Sequence, residues 1–166
     1  SVTHTDVSCF GGSDGTGTIT ITSGSAAPFA FSSDGGITQQ GTGNFVNLSP
    51  GTYTFWVADS GFCTDDTVIT IVEPAAHLLS TSSSTIESCL GADDGTLTIT
   101  VTGGTGPYDY NWYTDAGYTS LIYGLNSGSL SETETGVPPG MYYPEIVDAN
   151  GCLHYAGSET INTGAV

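Results

Sequence analysis

Four side chains of this sequence can be joined by mild oxidation: Cys9, Cys63, Cys89 and Cys152. The first pair spans 55 residues and the second 64. Zinc would need Cys-x-x-Cys spacing or nearby histidines, and neither occurs. An even number of cysteines at matched positions instead predicts disulfides Cys9–Cys63 and Cys89–Cys152, and with them an oxidising compartment. The chain-entropy relation gives about 4 kcal/mol for closing a loop of either length.

Carboxylates supply a second kind of chemistry. Asp14-Gly15 and Asp94-Gly95 each precede a Thr/Ile-rich run. One reading is a turn, with the Asp-Gly pair providing the positive-φ residue of a tight hairpin. The other is a weak calcium site, with Asp14 joined by Asp59, and Asp94 joined by Asp93 and Asp148. No EF-hand or nonapeptide calcium loop is present. Aromatic rings supply a third: Trp112, Tyr113, Tyr118 and Tyr123 crowd together, with Tyr108 and Tyr110 close by. Tyr108, Tyr110 and Trp112 share one strand parity and belong to a core face. Tyr113, Tyr118 and Tyr123 are left as a candidate surface for a glycan or a partner. His4, His77 and His154 are isolated, no Gly-x-Ser-x-Gly elbow occurs, and no catalytic residue is assigned.

The elements that must position these groups come in duplicate. Cys9-Phe-Gly-Gly-Ser-Asp14-Gly15-Thr-Gly-Thr18-Ile19-Thr20-Ile21-Thr22 returns as Cys89-Leu-Gly-Ala-Asp-Asp94-Gly95-Thr-Leu-Thr98-Ile99-Thr100-Val101-Thr102. Pro50-Gly51-Thr-Tyr53, Asp59 and Cys63 return as Pro139-Gly140-Met-Tyr142, Asp148 and Cys152. The offset grows from 80 to 89, so copy two carries about nine extra residues between Trp112 and Gly136. Two copies in one order predict two tandem domains, 1–74 and 75–166, the second with an insertion near 113–135. The boundary falls at Glu73-Pro74-Ala75-Ala76, where proline favours an extended link.

Helical periodicity is absent and two-residue alternation is widespread, which predicts an all-β fold of two immunoglobulin-like β-sandwich domains, one disulfide in each. Strands are expected near 2–7, 17–23, 28–32, 44–48, 52–58 and 66–72. In copy two they are expected near 79–86, 96–102, 108–113, 120–123, 128–134, 141–147 and 153–161. Ile19 and Ile21 face the core while Thr18, Thr20 and Thr22 form an exposed ladder, repeated by Ile99 and Val101 with Thr98, Thr100 and Thr102. Pro-Gly-x-Tyr is the turn-then-tyrosine of such sandwiches, in which the hydroxyl pins a loop. Pro144 stands at the Phe55 position and cannot donate to a ladder, which puts its strand at an edge or a bulge.

These words together resemble the SprB-type repeat of Bacteroidetes gliding and surface adhesins. Copy two is closest, at Gly103-Gly104-Thr105-Gly106-Pro107-Tyr108 and Asp148-Ala149-Asn150-Gly151-Cys152. Copy one departs at Ser23-Gly24-Ser25-Ala26-Ala27-Pro28 and Asp59-Ser60-Gly61-Phe62-Cys63. The resemblance implies spacer and display modules of a secreted surface protein, without catalysis. Asp66-Thr67-Val68 resembles the Asp-Ser/Thr-apolar O-glycosylation motif of the same bacteria, and Asn47-Leu-Ser49 is an N-linked sequon followed by Pro50.

Composition narrows the function further. There is no lysine or arginine, 17 carboxylates give a formal charge of −17, and charged residues make up only 10% of the chain. Nucleic-acid and anionic membrane surfaces would repel such a chain. Trypsin-like proteases find no cleavage site, whether through compositional drift or through selection for resistance. No secretory, membrane-spanning or lipidation segment is visible, and Ser1 reads as the start of a mature or trimmed product. The expectation is a stalk or fibre subunit of a secreted bacterial adhesin that self-associates or joins neighbouring repeats. In one version terminal strands 2–7 and 159–166 pair with a neighbour's sheet edge. The alternatives are a glycan- or partner-binding module and calcium stiffening of the domain junction.

Overall fold

The computed structural model describes residues 1–23 and 27–165; positions 24–26, within the copy-one departure from the repeat, and 166 lie outside the described residues. Alternating β-branched and polar residues between glycine turns give fourteen strands and, among the described residues, no helix. Two compact units divide the chain, Ser1–Pro74 and Ala75–Val166.

Unit one holds β1 (Val2–Thr5), β2 (Gly15–Ile19), β3 (Ala30–Ser32), β4 (Asn44–Leu48), β5 (Gly51–Ala58) and β6 (Thr64–Ile71). Its antiparallel sheets are ordered β1-β2-β4 and β3-β5-β6. Val7, Ile19, Phe31, Leu48, Phe55 and Ile71 form the core between them. Gly17 lies under the Phe55 ring, where a Cβ would come within 2.2 Å of Cζ. Only glycine admits that packing.

Unit two holds β7 (Leu79–Thr85), β8 (Gly95–Thr102), β9 (Tyr108–Tyr113), β10 (Leu121–Ser127), β11 (Ser131–Val137), β12 (Gly140–Val147), β13 (Leu153–Tyr155) and β14 (Glu159–Ile161). One sheet is β7-β8-β11; the other is β10-β9-β12-β13, with β14 also on β12. Tyr108, Tyr110 and Trp112 enter the core with Leu78, Leu97, Ile99, Val101 and Ile146, as their shared parity requires. The insertion builds β10, which pairs along β9 from Leu121↔Tyr113 to Ser127↔Tyr108.

Hydroxyls line the outer faces as expected: Thr5 meets Thr16 at 2.8 Å, Thr85 meets Thr96 at 2.9 Å, and Thr98 meets Thr133 at 2.9 Å. The Tyr53 hydroxyl donates to Ser49 O at 2.9 Å and the Tyr142 hydroxyl to Pro138 O at 2.7 Å, pinning equivalent turns.

Three expectations are corrected. Pro144 does not put its strand at an edge, because β12 lies between β9 and β13/β14. Its far-side partner breaks there instead: β13 pairs with Glu145–Val147 and β14 with Gly140–Tyr142. The single strand expected at 153–161 is therefore two, since a residue without an N–H has no donor to offer a continuous partner. Gly15 and Gly95 are not the positive-φ residues of their turns; Gly11 and Gly91 are, at φ 73° and 79°. A Cβ on Gly15 would meet Leu48 O at 2.8 Å, and one on Gly95 would meet Val137 O at 2.7 Å, so these glycines serve close backbone approach. The third correction concerns the cysteines.

Candidate functional site

Each unit has two chemically distinct ends. In unit one, Ser1 and the turn 59–63 border the same cleft, which defines a head. The segment 8–14 lies with residues 72–73 at the tail, where Val7 N–H donates to Val72 O at 3.0 Å and Gly11 N–H to Glu73 Oε2 at 2.5 Å. In unit two the head carries Ala76 O, which accepts from Gly104 N–H, and the turn 148–152. Its tail brings 87–90 against 162–165, with Glu87 N–H donating to Asn162 O and Leu90 N–H to Ala165 O.

Each Asp-Gly carboxylate orders a tail turn. Asp14 accepts from Ser8 N–H at 3.0 Å and from its hydroxyl at 2.5 Å; Asp94 does the same with Ser88 at 2.7 and 2.5 Å. These bonds, the serine hydroxyl first, hold both carboxyls below the usual aspartate range. At the heads, Asp59 Oδ1 accepts from Gly61 and Cys63 N–H, and Asp148 Oδ1 from Asn150 and Cys152 N–H. Asp14 and Asp59 are thus at opposite ends of unit one, and Asp93 and Asp94 at the opposite end of unit two from Asp148. The sets expected for calcium are not brought together. Among the described residues no group of three or more His, Cys, Asp or Glu side chains could hold a metal ion.

The cysteines follow the same division. Cys9 belongs to a tail and Cys63 to a head, with the eight residues of β6 between those ends. At about 3.3 Å per strand residue the two are roughly 25 Å apart, far beyond the ~7 Å Cα limit of a disulfide. Cys89 and Cys152 are separated likewise by β12, whose Gly140 end meets Ile161 and whose Val147 end meets Leu153. One disulfide within each domain is therefore overturned. Cys9 and Cys152 are disulfide-bonded, whereas Cys63 and Cys89 are exposed free thiols. Their matched positions in the two copies showed that the cysteines correspond but could not show that strand length keeps each pair apart.

The aromatic rings cluster in a different set from the expected trio. Tyr118 lies 4.3 Å from Tyr155, 5.4 Å from Tyr113 and 6.3 Å from Tyr143, ring centre to ring centre. Asp115 builds the turn that folds Tyr118 back: its carboxylate accepts from the N–H groups of Gly117, Thr119 and Ser120, and Tyr118 takes φ 54°. Glu145 lies among the rings, accepting from Tyr113 Oη and Asn111 Nδ2, each at 3.1 Å. Burial first, then Glu145, raises the Tyr113 hydroxyl pKa; for Tyr118, burial and Tyr155 lead. Tyr123 is absent from this cluster because its register opposite Trp112 turns it to the core face. Tyr143 and Tyr155 were missed in the sequence because they come from β12 and β13, and only cross-strand pairing brings them beside Tyr113. Thr67 is exposed on edge strand β6, opposite Phe55 in register.

Comparisons with known proteins complete the description. No curated protein matches the sequence. Among solved structures, the fibronectin(III)-like modules of Clostridium thermocellum CbhA match with 12% identity and a TM-score of 0.41, over 99% of this chain and 95% of that one. The SprB repeat matches residues 1–38 and again 81–117. SprB repeats are structural modules of surface-associated proteins, and each of the two units of this chain carries one such match.

Proposed function

We propose that the chain is a structural segment, a stalk or fibre subunit, of a secreted bacterial surface adhesin or extracellular filament built of immunoglobulin-like sandwiches. The observation that carries this reading is the polarity of each unit. The chain enters at the head and leaves at the tail, so tension between the termini runs along the strands. In unit one, β1 and β6 both run from head to tail. Pulling therefore loads their ladders in shear, and many hydrogen bonds must yield together instead of one at a time. A hydroxyl-rich surface without lysine or arginine suits exposure to extracellular proteases. The edge strand β1 leaves one side free for the strand-pairing version of assembly.

Electron microscopy of the purified protein, with single-molecule pulling between its termini, tests the reading. Rods or filaments with two high-force unfolding events support it. Compact particles that unfold at the low forces of strand unzipping would contradict it.

A second reading is favoured by the tyrosine cluster. Four rings around Glu145 offer apolar faces with polar edges, the combination that stacks on sugars or fills a partner's pocket. Loss of glycan-array binding and of cell adhesion in Tyr118→Ala with Tyr155→Ala would support it. A wild-type protein that binds no glycan or cell would remove it.

A further inference from the structure

The tyrosine cluster of unit two surrounds a carboxylate that no basic side chain of this sequence can neutralise. Tyr113 and Asn111 on β9, Tyr143 and Glu145 on β12, and Tyr155 on β13 share the outer face of one sheet. Their registers are Tyr143↔Tyr113, Glu145↔Asn111 and Glu145↔Tyr155. Glu145 Oε1 accepts from Tyr113 Oη and Asn111 Nδ2, both neutral donors. Burial first, then the charge of Glu145 and a hydrogen bond to it, raise the Tyr155 hydroxyl pKa. His154, next to Tyr155, turns to the other face, where its Nδ1 accepts from Ser80 N–H at 3.1 Å. The sequence holds 17 carboxylates and no lysine or arginine. Any permanent positive charge beside Glu145 therefore has to come from a partner.

The rings are arranged for a compact charge and not for a flat ligand. Tyr118 stands at 77° to Tyr113 and 74° to Tyr143, and lies 4.3 Å from Tyr155 at 44°. Rings at such angles make a corner, whereas a sugar ring stacks on a flat platform. Each face of the corner carries the negative side of a ring quadrupole, which attracts an ammonium or guanidinium within about 6 Å. A phenol that donates to a carboxylate gains electron density, and this strengthens the attraction. The repeat does not need the cluster in order to fold. In copy one Thr54 and Asp66 stand where copy two has Tyr143 and Tyr155, and Tyr118 belongs to the insertion. Tyr118 is held at φ 54°, a conformation that bulky side chains rarely take. Tyr155 is 48% exposed, so the corner is open to solvent.

We propose that the corner of Tyr113, Tyr118, Tyr143 and Tyr155 beside Glu145 binds a basic side chain, lysine or arginine, of a partner protein. The proposal rests on the reading of this cluster as a contact surface and names the chemistry that the surface takes. The ring faces hold the cationic head by its charge and the methylene stem by its apolar surface. Glu145 supplies the ion pair. The charge of −17 draws basic partners toward the protein, an attraction that salt weakens.

The test titrates the whole chain, isotope-labelled in its tyrosine rings, with Nα-acetyl-lysine amide and Nα-acetyl-arginine amide. Nα,Nε-diacetyl-lysine amide is the neutral control, and ring NMR shifts are the readout. Saturable shifts of Tyr118 and Tyr155 are expected with both cations, while Tyr53 in the other unit stays still. The tighter of the two amides identifies the side chain preferred. The neutral analogue should bind about tenfold more weakly, since it loses the ring attraction and the ion pair together. Tyr155→Ala should weaken the cations by about two- to fivefold. Glu145→Gln, which keeps the size and the acceptor oxygen, should weaken them by a similar factor. Equal binding of the neutral analogue, or unsaturable shifts shared by Tyr53, would overturn the proposal. Glycan-array binding lost in Tyr118→Ala with Tyr155→Ala, without any cation binding, would overturn the basic side chain and leave the contact surface standing. Binding of neither would remove both.

Discussion

Gly17→Ala probes how the first core is packed. The added Cβ would lie 2.2 Å from Phe55 Cζ and 2.5 Å from Cε1. Reaching ordinary contact requires a ring displacement of roughly 1.5 Å in an interior that packs like an organic crystal. Overpacking of this kind costs about 1–3 kcal/mol, while removing a strand glycine returns about 0.5–1 kcal/mol. A net loss of roughly 1–2 kcal/mol should lower the melting point of unit one by on the order of 10 °C. Copy two shows the compensation. Leu97 replaces Gly17 and Pro144 replaces Phe55, both fully buried, so the large residue has changed sides. Trimming the ring by Phe55→Leu should therefore remove most of the penalty of Gly17→Ala, a coupling of about 1–2 kcal/mol in a double-mutant cycle. Hydrogen exchange of peptides from residues 1–74 of the whole chain separates this unit from the other. Additivity within about 0.5 kcal/mol would refute the packing argument.

Three further outcomes can be checked on the same protein. His154 Nδ1 accepts from Ser80 N–H at 3.1 Å, and burial, with His77 nearby, lowers its pKa. Its contribution to stability should be complete above pH 6.5 and decline as pH falls below that value; denaturant midpoints equally pH-sensitive in His154→Asn would exclude it. Asp34 accepts from the Ser32 and Thr38 hydroxyls and Thr38 N–H, which hold its pKa at about 2 against the ordinary 3.8. Its contribution should be present above pH 3.8 and vanish as pH falls to 2, with a carboxyl NMR midpoint near 3.8 as the contrary result. Glu87 is fully buried, with Oε1 accepting from Gly91 N–H at 2.8 Å and Oε2 finding no hydrogen-bond partner among the described residues. Glu87→Gln should raise the denaturation midpoint of unit two by roughly 1 kcal/mol, and a lowered midpoint would show that the charge itself is needed.

Much of the fold was legible because burial imposes a two-residue period on Ile19, Ile99 and Val101 and on the aromatic run from Tyr108 to Trp112. The Tyr53 and Tyr142 turns were legible because their chemistry is local. What could not be read depends on distance along strands and across them. Cys9 and Cys63 each have a counterpart in the second copy, but β5 and β6 set the two at opposite ends. Tyr123 looked equivalent to Tyr113 until the register shift between Leu121 and Tyr123 placed it opposite Trp112. Tyr143 and Tyr155 gave no local signal, since each is one outward residue on a different strand. Even the break in the last strand could be seen only at Pro144, on the neighbouring strand.

The same substitution logic explains how two copies with few shared residues keep one geometry. A tail turn needs an acceptor for the N–H of Gly11 or Gly91. In unit one it is Glu73, beyond the last strand, and the neighbouring core position is Val7. In unit two the counterpart of Val7 is Glu87, and its carboxylate reaches Gly91 from within the core. The acceptor has moved between elements while the turn it serves has not, just as bulk has moved between Gly17/Phe55 and Leu97/Pro144. Such exchanges conserve a contact and not a residue. What remains fixed in both copies is the set of groups that shape the two ends: Ser8/Ser88 with Asp14/Asp94 at the tail, Asp59/Asp148 at the head, and a cysteine held at each. On the proposed reading of the chain as a structural segment, cores that vary while ends persist are what such a module needs, since its interior only has to fold while its ends carry the shared chemistry.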